Sequence, residues 1–296
     1  MTATASDTAA FEEIWFTTRD GLRLYARHYR AARKSRQRPV LCLAGLTRNS
    51  RDFHVIATAL SKRWGAPRDV YTLDTRGRGL SDHDPDWKNY TVPIEMLDAV
   101  DFLTSRGLAD VAVIGTSRGG LIAMVMAAAQ PGTIGTVVLN DIGPVVETAG
   151  LLRISGYVGR TPTPASWEDA GRITRSINER QFPKISDAEW VEVARQWFNE
   201  KAGRPAPSYD PAVGRSLSVL EGPMPPLWAQ FGALERVPVM VLRGDRSDIL
   251  SAATVEEMQR RHTNLTTFIV PDQGHPPLLR DEASISSIAR FLDEAG

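Results

Sequence analysis

Residues 111–129 have the sequence VAVIGTSRGGLIAMVMAAA, in which a glycine-rich junction separates two apolar runs. The first run, Val111–Ile114, is typical of a buried strand, and Leu121–Ala129 predicts a helix. The junction carries the pattern G-x-S-x-G over Gly115–Gly119, with Ser117 at its centre. Glycines on both sides permit a tight, strained turn that a Cβ atom would obstruct. Such a turn holds the serine hydroxyl out above the sheet, as a nucleophile elbow does.

A glycine-rich strand–helix junction has a second interpretation, because it can also bind phosphate at the helix N-terminus. This junction lacks the lysine of a P-loop and the G-x-G-x-x-G spacing of a dinucleotide site. Average glycine and serine usage gives only about 0.1 chance matches to G-x-S-x-G in a chain of this length. We therefore interpret Ser117 as a nucleophile.

Outward from this stretch, short apolar strands alternate with helical segments. Glu13–Arg19 and Leu22–Tyr29 flank Asp20-Gly21, which is the turn signal of a β-hairpin. The later predicted strands are Val40–Leu43, Val70–Leu73, Val111–Ile114, Thr136–Leu139, Val237–Leu242 and Thr266–Val270, and the predicted helices are Phe53–Trp64, Ile94–Ser105, Leu121–Ala129, Ala252–Arg261 and Ser284–Glu294. This order predicts an α/β fold with a mostly parallel, doubly wound sheet.

The alternation disappears between about Val145 and Leu234. Segments such as Trp167–Arg180 and Asp187–Lys201 predict helices, and proline-rich connections lie between them. The sequence therefore predicts a core of residues 1–144 and 235–296, with a mainly helical insertion over residues 145–234.

The chain resembles the α/β-hydrolase family over nearly its whole length. Leu43-Ala44-Gly45-Leu46 is similar to the family's oxyanion loop, although Ala44 stands where the family usually has histidine. The segment Asp74–Asp82 resembles the D-x-R-G-x-G-x-S pattern, for which we expect a structural role. Asn140–Pro144 leads into the insertion, which corresponds to the family's helical cap. The resemblance implies an oxyanion hole formed by the backbone N–H groups of Leu46 and Arg118.

The side chain of Arg118 has two interpretations. Its guanidinium would either bind a substrate carboxylate or form a salt bridge beneath the cap. Aromatic residues of the insertion are expected mainly to pack between helices, with a few lining the pocket. The substrate-binding residues are otherwise undetermined by the sequence.

A serine nucleophile needs a general base, and the five histidines differ in their positions. His275 follows the last predicted strand and precedes the last helix, in the loop Pro271–Pro277. A loop beyond the C-terminal end of a strand is where parallel sheets place their sites. The order serine, acid, histidine is also that of the α/β-hydrolase family. We therefore predict His275 as the base.

The acid has three candidates. Asp245 and Asp248 follow the strand that ends at Leu242, and Asp141 follows the preceding core strand. Asp248 best resembles the family's acid, because it begins the segment that leads to the next helix. The sequence therefore predicts a Ser117, Asp248 and His275 triad, with Asp245 and Asp141 as alternatives.

Composition excludes several other classes of function. Lys and Arg together number 35, and Asp and Glu together also number 35, so the net charge is zero. The chain therefore has no overall charge that would attract nucleic acid or an anionic membrane. The N-terminal segment lacks the pattern of a signal peptide, and no apolar run is long enough to span a bilayer. We expect a cytoplasmic protein with a small-molecule substrate, without a metal or organic cofactor. The oligomeric state is undetermined.

The predicted activity is hydrolysis of a small to medium carboxylic ester or lactone through an acyl-enzyme intermediate. Serine at the elbow argues against the dehalogenase and epoxide hydrolase relatives, which have aspartate there. Hydrolysis of a carbon–carbon bond in a vinylogous diketone is the main alternative, and perhydrolysis and thioester cleavage are also open. A non-catalytic, ligand-binding relative is the alternative from a different class.

Overall fold

The computed structural model describes residues 10–62, 64–218 and 224–296. Within them, the strands are β1 (Glu12–Thr17), β2 (Arg23–Tyr29), β3 (Val40–Leu43), β4 (Val70–Leu73), β5 (Val111–Thr116), β6 (Ile134–Asn140), β7 (Phe198–Lys201), β8 (Arg204–Pro207), β9 (Val239–Gly244) and β10 (Leu265–Val270). The helices are α1 (His54–Lys62), α2 (Val92–Arg106), α3 (Arg118–Ala129), α4 (Thr148–Tyr157), α5 (Trp167–Asn178), α6 (Asp187–Trp197), α7 (Val213–Ser218), α8 (Trp228–Gly232), α9 (Ala252–Arg261) and α10 (Glu282–Ala295).

Eight strands form one mixed sheet in the order β1-β2-β4-β3-β5-β6-β9-β10. The pairs β1–β2 and β2–β4 are antiparallel, and every pair from β4 to β10 is parallel. The predicted N-terminal hairpin and the mostly parallel α/β sheet are therefore confirmed.

The central strands are apolar throughout because helices cover both faces of the sheet. In β5, Val111 and Val113 pack into one buried cluster with residues of α2, α3 and α9. Ala112 and Ile114 pack into the opposite cluster with residues of α1 and α10. Successive side chains of a strand point to opposite faces. Because both faces of β5 are buried, every residue of Val111–Ile114 is apolar, and this unbroken apolar run is what predicted the strand.

The inserted segment, residues 145–234, lies between β6 and β9, which pair directly in the sheet. It contains α4 to α8 and a two-stranded hairpin, β7–β8. The prediction of one helix over Asp187–Lys201 is therefore wrong at its C-terminal end, because α6 stops at Trp197. Ala202 and Gly203 have φ values of 52° and 75°, and two residues of positive φ form the tight turn that a hairpin requires.

Parallel pairing brings the carboxyl ends of β3, β5, β6, β9 and β10 to one edge of the sheet. The loops after these strands carry Leu46, Ser117, Asp141, Asp248 and His275 respectively. All the predicted site residues therefore lie along one edge. Among the described residues, no helix is long and apolar enough to cross a membrane.

Candidate active site

Ser117 lies at the sharp junction between β5 and α3, as its sequence motif predicts. Its φ and ψ are 51° and −117°, a conformation that L-residues rarely adopt. Two glycines make this turn possible. A Cβ on Gly115 would lie 2.7 Å from the carbonyl carbon of Gly119, and a Cβ on Gly119 would collide with the carbonyl oxygen of Leu43. Only glycine lets α3 approach the sheet so closely, and the turn holds the hydroxyl of Ser117 at the sheet edge.

Ser117 and His275 form a hydrogen bond. The distance from Ser117 Oγ to His275 Nε2 is 2.8 Å, although 158 residues separate them in sequence. His275 is 5% exposed, so its ring is held in a mostly water-free position. Two contacts of its loop support this position, because Gln181 Oε1 accepts from the backbone N–H of His275 and Asn140 Nδ2 donates to the carbonyl oxygen of Pro277.

The other ring nitrogen of His275 contacts Asp141, with 2.8 Å between Nδ1 and Oδ2. An ionised carboxylate can only accept a hydrogen bond, so this contact assigns the ring proton to Nδ1. The lone pair of Nε2 is then free to accept the proton of Ser117. Asp141 is fully buried, and its φ of 57° turns its side chain from the end of β6 towards His275.

The loop after β9 holds the Asp141 carboxylate in place. The N–H of Gly244 donates to Asp141 Oδ1 at 2.8 Å, and the hydroxyl of Ser247 donates to Oδ2 at 2.6 Å. Ser247 Oγ in turn accepts from the N–H groups of Ile249 and Leu250. These contacts stabilise the buried charge, since a buried carboxylate needs hydrogen-bond donors around it.

The sequence predicted Asp248 as the acid, but in the structure His275 contacts Asp141 and not Asp248. Both carboxylate oxygens of Asp248 instead accept from Arg153 on α4, at 2.6 and 2.8 Å. Partial burial raises the pKa of Asp248, but the hydrogen bond and charge of Arg153 outweigh it and hold that pKa below its ordinary value. Asp245, the second candidate, is exposed to solvent. Asp141, the third candidate, is the carboxylate that His275 contacts.

The predicted oxyanion donors lie beside Ser117. A Cβ placed on Gly45 would be 3.6 Å from the Cβ of Ser117, so the loop after β3 passes directly by the elbow. Arg118 is the first residue of α3, and its N–H therefore has no acceptor within the helix. In the part of the chain that the structure describes, the backbone N–H groups of Leu46 and Arg118 donate to no other protein group. Both are available to an oxygen atom near Ser117.

A buried ionic network links these two backbone positions. Arg78 Nε donates to the carbonyl oxygen of Leu46 at 2.8 Å, and Arg78 Nη1 contacts Glu95 at 2.7 Å. The other Glu95 oxygen accepts from Arg118 Nε at 2.6 Å. The two arginines hold the pKa of Glu95 below its ordinary value, although burial alone would raise it. Of the two interpretations of the Arg118 side chain, the structure therefore shows the salt bridge.

We expect Glu95→Gln to destabilise the protein by about 3–5 kcal/mol, because it leaves two buried guanidinium groups without their counter-charge. The midpoint of urea denaturation measures this loss. Glu12→Gln is the matched control, since its ion pair with Arg30 is exposed and should contribute nothing measurable. Equal midpoints for the Glu95 variant and the unmodified protein would show that the network does not stabilise the fold.

Two cavities meet at Ser117. The smaller cavity, of about 90 Å³, is lined by Ser117, His275 and Arg48 together with residues of the inserted segment such as Tyr157 and Trp197. The larger cavity, of about 570 Å³, is lined mainly by apolar side chains of the core and the inserted segment, which are Leu46, Leu121, Ile142, Val146, Leu151, Ile154, Leu217, Met224 and Ile249. The sequence alone did not identify Arg48, because nothing in its local pattern distinguishes it from a surface arginine.

The described residues contain no evident set of ligands for a metal ion. Across residues 10–62, 64–218 and 224–296, no group of three or more His, Cys, Asp or Glu side chains is arranged to hold a metal ion.

The chain is similar to known proteins over most of its length. Residues 40–285 match the alpha/beta hydrolase family. The chain is 30% identical over 267 residues to the 3-hydroxybutyrate-oligomer hydrolase of Cupriavidus necator, covering 87% of this chain and 89% of that relative. It is 24% identical to the 2-(acetamidomethylene)succinate hydrolase of Mesorhizobium japonicum, covering 86% and 87%. An alpha/beta hydrolase crystal structure from Novosphingobium aromaticivorans superposes with a TM-score of 0.89 at 37% identity, covering 97% of this chain and 99% of that one.

The chain therefore belongs to the alpha/beta hydrolase family, and its named relatives support a hydrolase activity.

Proposed function

We propose that this chain is a carboxylic ester hydrolase that works through an acyl-enzyme intermediate, with Ser117 as nucleophile, His275 as general base and Asp141 as the acid. The observation that carries the proposal is the continuous hydrogen-bonded chain from Ser117 through His275 to Asp141. A serine hydroxyl is a weak nucleophile unless an adjacent base removes its proton, and His275 is positioned as that base.

The proposed reaction begins with transfer of the Ser117 proton to His275 Nε2 as Oγ attacks the carbonyl carbon of the ester. Asp141 holds the imidazole in its tautomer and stabilises the imidazolium that forms. The N–H groups of Leu46 and Arg118 donate to the developing oxyanion, each contributing about 3 kcal/mol in comparable sites. His275 then protonates the departing alcohol, and a water molecule releases the acyl group by the same steps. Substitution of alanine for the usual histidine at Ala44 removes a side chain and leaves the backbone donors in place.

We also propose that residues 145–234 act as a cap over the sheet edge. Ile154 of α4 lines both cavities, and Tyr157 and Trp197 line the smaller one. Contacts between this segment and the core loops include the Arg153–Asp248 ion pair and the hydrogen bond from the His275 N–H to Gln181. Substrate size would therefore depend on the cap.

The direct test is covalent labelling of Ser117 with a fluorophosphonate probe. We expect one adduct by intact-mass analysis of the unmodified protein and none on Ser117→Ala, because only an activated hydroxyl attacks the probe readily. No adduct on the folded protein, or an adduct that persists in Ser117→Ala, would refute the assignment.

A substrate panel tests the reaction class with the same two proteins. It includes p-nitrophenyl esters, linear oligomers of 3-hydroxybutyrate, lactones and vinylogous diketones. The panel includes the 3-hydroxybutyrate oligomers because one relative is named as a hydrolase of these compounds. We expect turnover of esters that Ser117→Ala abolishes. Turnover of the diketones alone would replace ester hydrolysis with carbon–carbon bond hydrolysis.

A further inference from the structure

The two cavities differ in their relation to His275, which lines the smaller cavity and not the larger one. In the proposed reaction, His275 returns the proton to the departing alcohol oxygen, so the alcohol half of the ester must lie beside it. The smaller cavity is then the alcohol site, and the larger apolar cavity receives the acyl half. This step rests on the proposed function.

The wall of the smaller cavity contains one arginine, Arg48, which follows the oxyanion loop. Its side chain is only 12% exposed, and its guanidinium carbon lies 3.3 Å from the ring centroid of Trp197. Stacking against the indole ring fixes the plane of the guanidinium and leaves its edges for hydrogen bonds. The cavity therefore contains a buried cation held in a defined orientation.

Arg48 is incompletely paired. Its Nε lies 2.7 Å from Asp52 Oδ2, yet the Nε–H makes no aligned hydrogen bond. Among the described residues, its ion pair is the one with Asp52 through Nε, and no Asp or Glu side chain lines the smaller cavity. A guanidinium that faces no carboxylate within the cavity matches a negatively charged ligand group that accepts hydrogen bonds.

We propose that Arg48 binds a free carboxylate on the alcohol half of the substrate, so that the preferred substrates are esters formed by the hydroxyl of a short hydroxy acid. A carboxylate presents two acceptor oxygens to the guanidinium, which binds it through two parallel hydrogen bonds. The volume of about 90 Å³ suits a short hydroxy acid. Hydrolysis then releases that hydroxy acid from the smaller cavity, while the acyl group stays on Ser117.

The first test compares two esters of nearly equal shape, 3-(butanoyloxy)propanoate and 3-(butanoyloxy)propanamide. They differ only in that the carboxylate of one is a neutral amide in the other. We expect kcat/KM for the carboxylate to be about 10- to 100-fold higher, the range of charge-assisted hydrogen bonds. Equal values for the two esters, or a preference for the amide, would overturn the proposal.

Variants then assign the preference to Arg48. In Arg48→Gln and in Arg48→Gln/Asp52→Asn, we expect the ratio of kcat/KM for the carboxylate ester to kcat/KM for the amide ester to fall to about one. The double variant is included because it does not leave Asp52 buried without its cation. Arg195→Gln is the matched control, because Arg195 also stacks on a tryptophan, Trp167, but does not line the cavity. If the double variant still prefers the carboxylate ester over the amide ester, Arg48 is not the residue that binds the carboxylate.

Binding to Ser117→Ala separates this proposal from the proposed ester hydrolysis. Calorimetric titration with each ester is expected to show about 10-fold tighter binding of the carboxylate, and this preference should disappear when Arg48→Gln is added. If the unmodified protein hydrolyses neither ester but this binding preference is present, only the hydrolytic assignment fails. If both esters are hydrolysed and bound equally, the carboxylate site fails and the hydrolase assignment stands.

Discussion

Replacing His275 by alanine is expected to reduce the turnover of a p-nitrophenyl ester by about 10⁶-fold, and Ser117→Ala is expected to have an effect of similar size. His275 Nε2 lies 2.8 Å from Ser117 Oγ, and no other histidine contacts that oxygen among the described residues. Without the base, the hydroxyl keeps its proton and cannot attack. The double variant should be no slower than either single variant, because two residues that perform one step are not additive.

The control for this prediction is His83→Ala, since the His83 side chain is 60% exposed and lies outside both cavities. Turnover by His83→Ala should equal that of the unmodified protein. The residual rate of Ser117→Ala, purified in the same way, measures the background from any contaminating esterase. Turnover within 10-fold of the unmodified protein in His275→Ala would show that His275 is not the base.

The sheet and the placement of Ser117 and His275 at its edge followed from the sequence for a common physical reason. Strands buried on both faces need continuous apolar runs, and parallel strands end at one edge of the sheet. The turn at Ser117 needs glycine at Gly115 and Gly119, which leaves a local pattern in the sequence. His275 was distinguishable because it follows the last strand, whose C-terminal end lies at the same edge.

The choice among the three acidic candidates depended on contacts that no local pattern records. Asp248 has the sequence position expected of the acid, but Arg153 of the inserted segment binds its carboxylate. Asp141 turns towards His275 because its φ is positive, and Ser247 supports it from the loop that was expected to supply the acid. The direction of these side chains is set by tertiary contacts. The same limitation applies to Arg48, whose stacking on Trp197 joins the core to the inserted segment.

Asp141→Asn is expected to lower turnover by about 10⁴-fold, the loss that a comparable serine enzyme suffers from the same change. The surroundings of Asp141 explain why the amide should be so harmful. Oδ1 accepts from the N–H of Gly244, so the oxygen of the amide should keep that position. The NH₂ group would then take the place of Oδ2 and donate to Nδ1 of His275. That contact moves the ring proton to Nε2, which can no longer accept the proton of Ser117.

Asp248→Asn provides the decisive comparison, because it makes the same chemical change at the residue that the family resemblance favours. It removes a partly exposed ion pair with Arg153, which is worth about 1 kcal/mol or less, and leaves the Asp141–His275 contact intact. We expect its turnover to remain within about 10-fold of the unmodified protein, and Asp245→Asn, at an exposed side chain, to change it even less. Circular dichroism and thermal melting establish that each variant is folded before rates are compared. If Asp248→Asn loses several orders of magnitude while folded Asp141→Asn retains its turnover, His275 must exchange Asp141 for Asp248 during the reaction, and Asp248 is the acid.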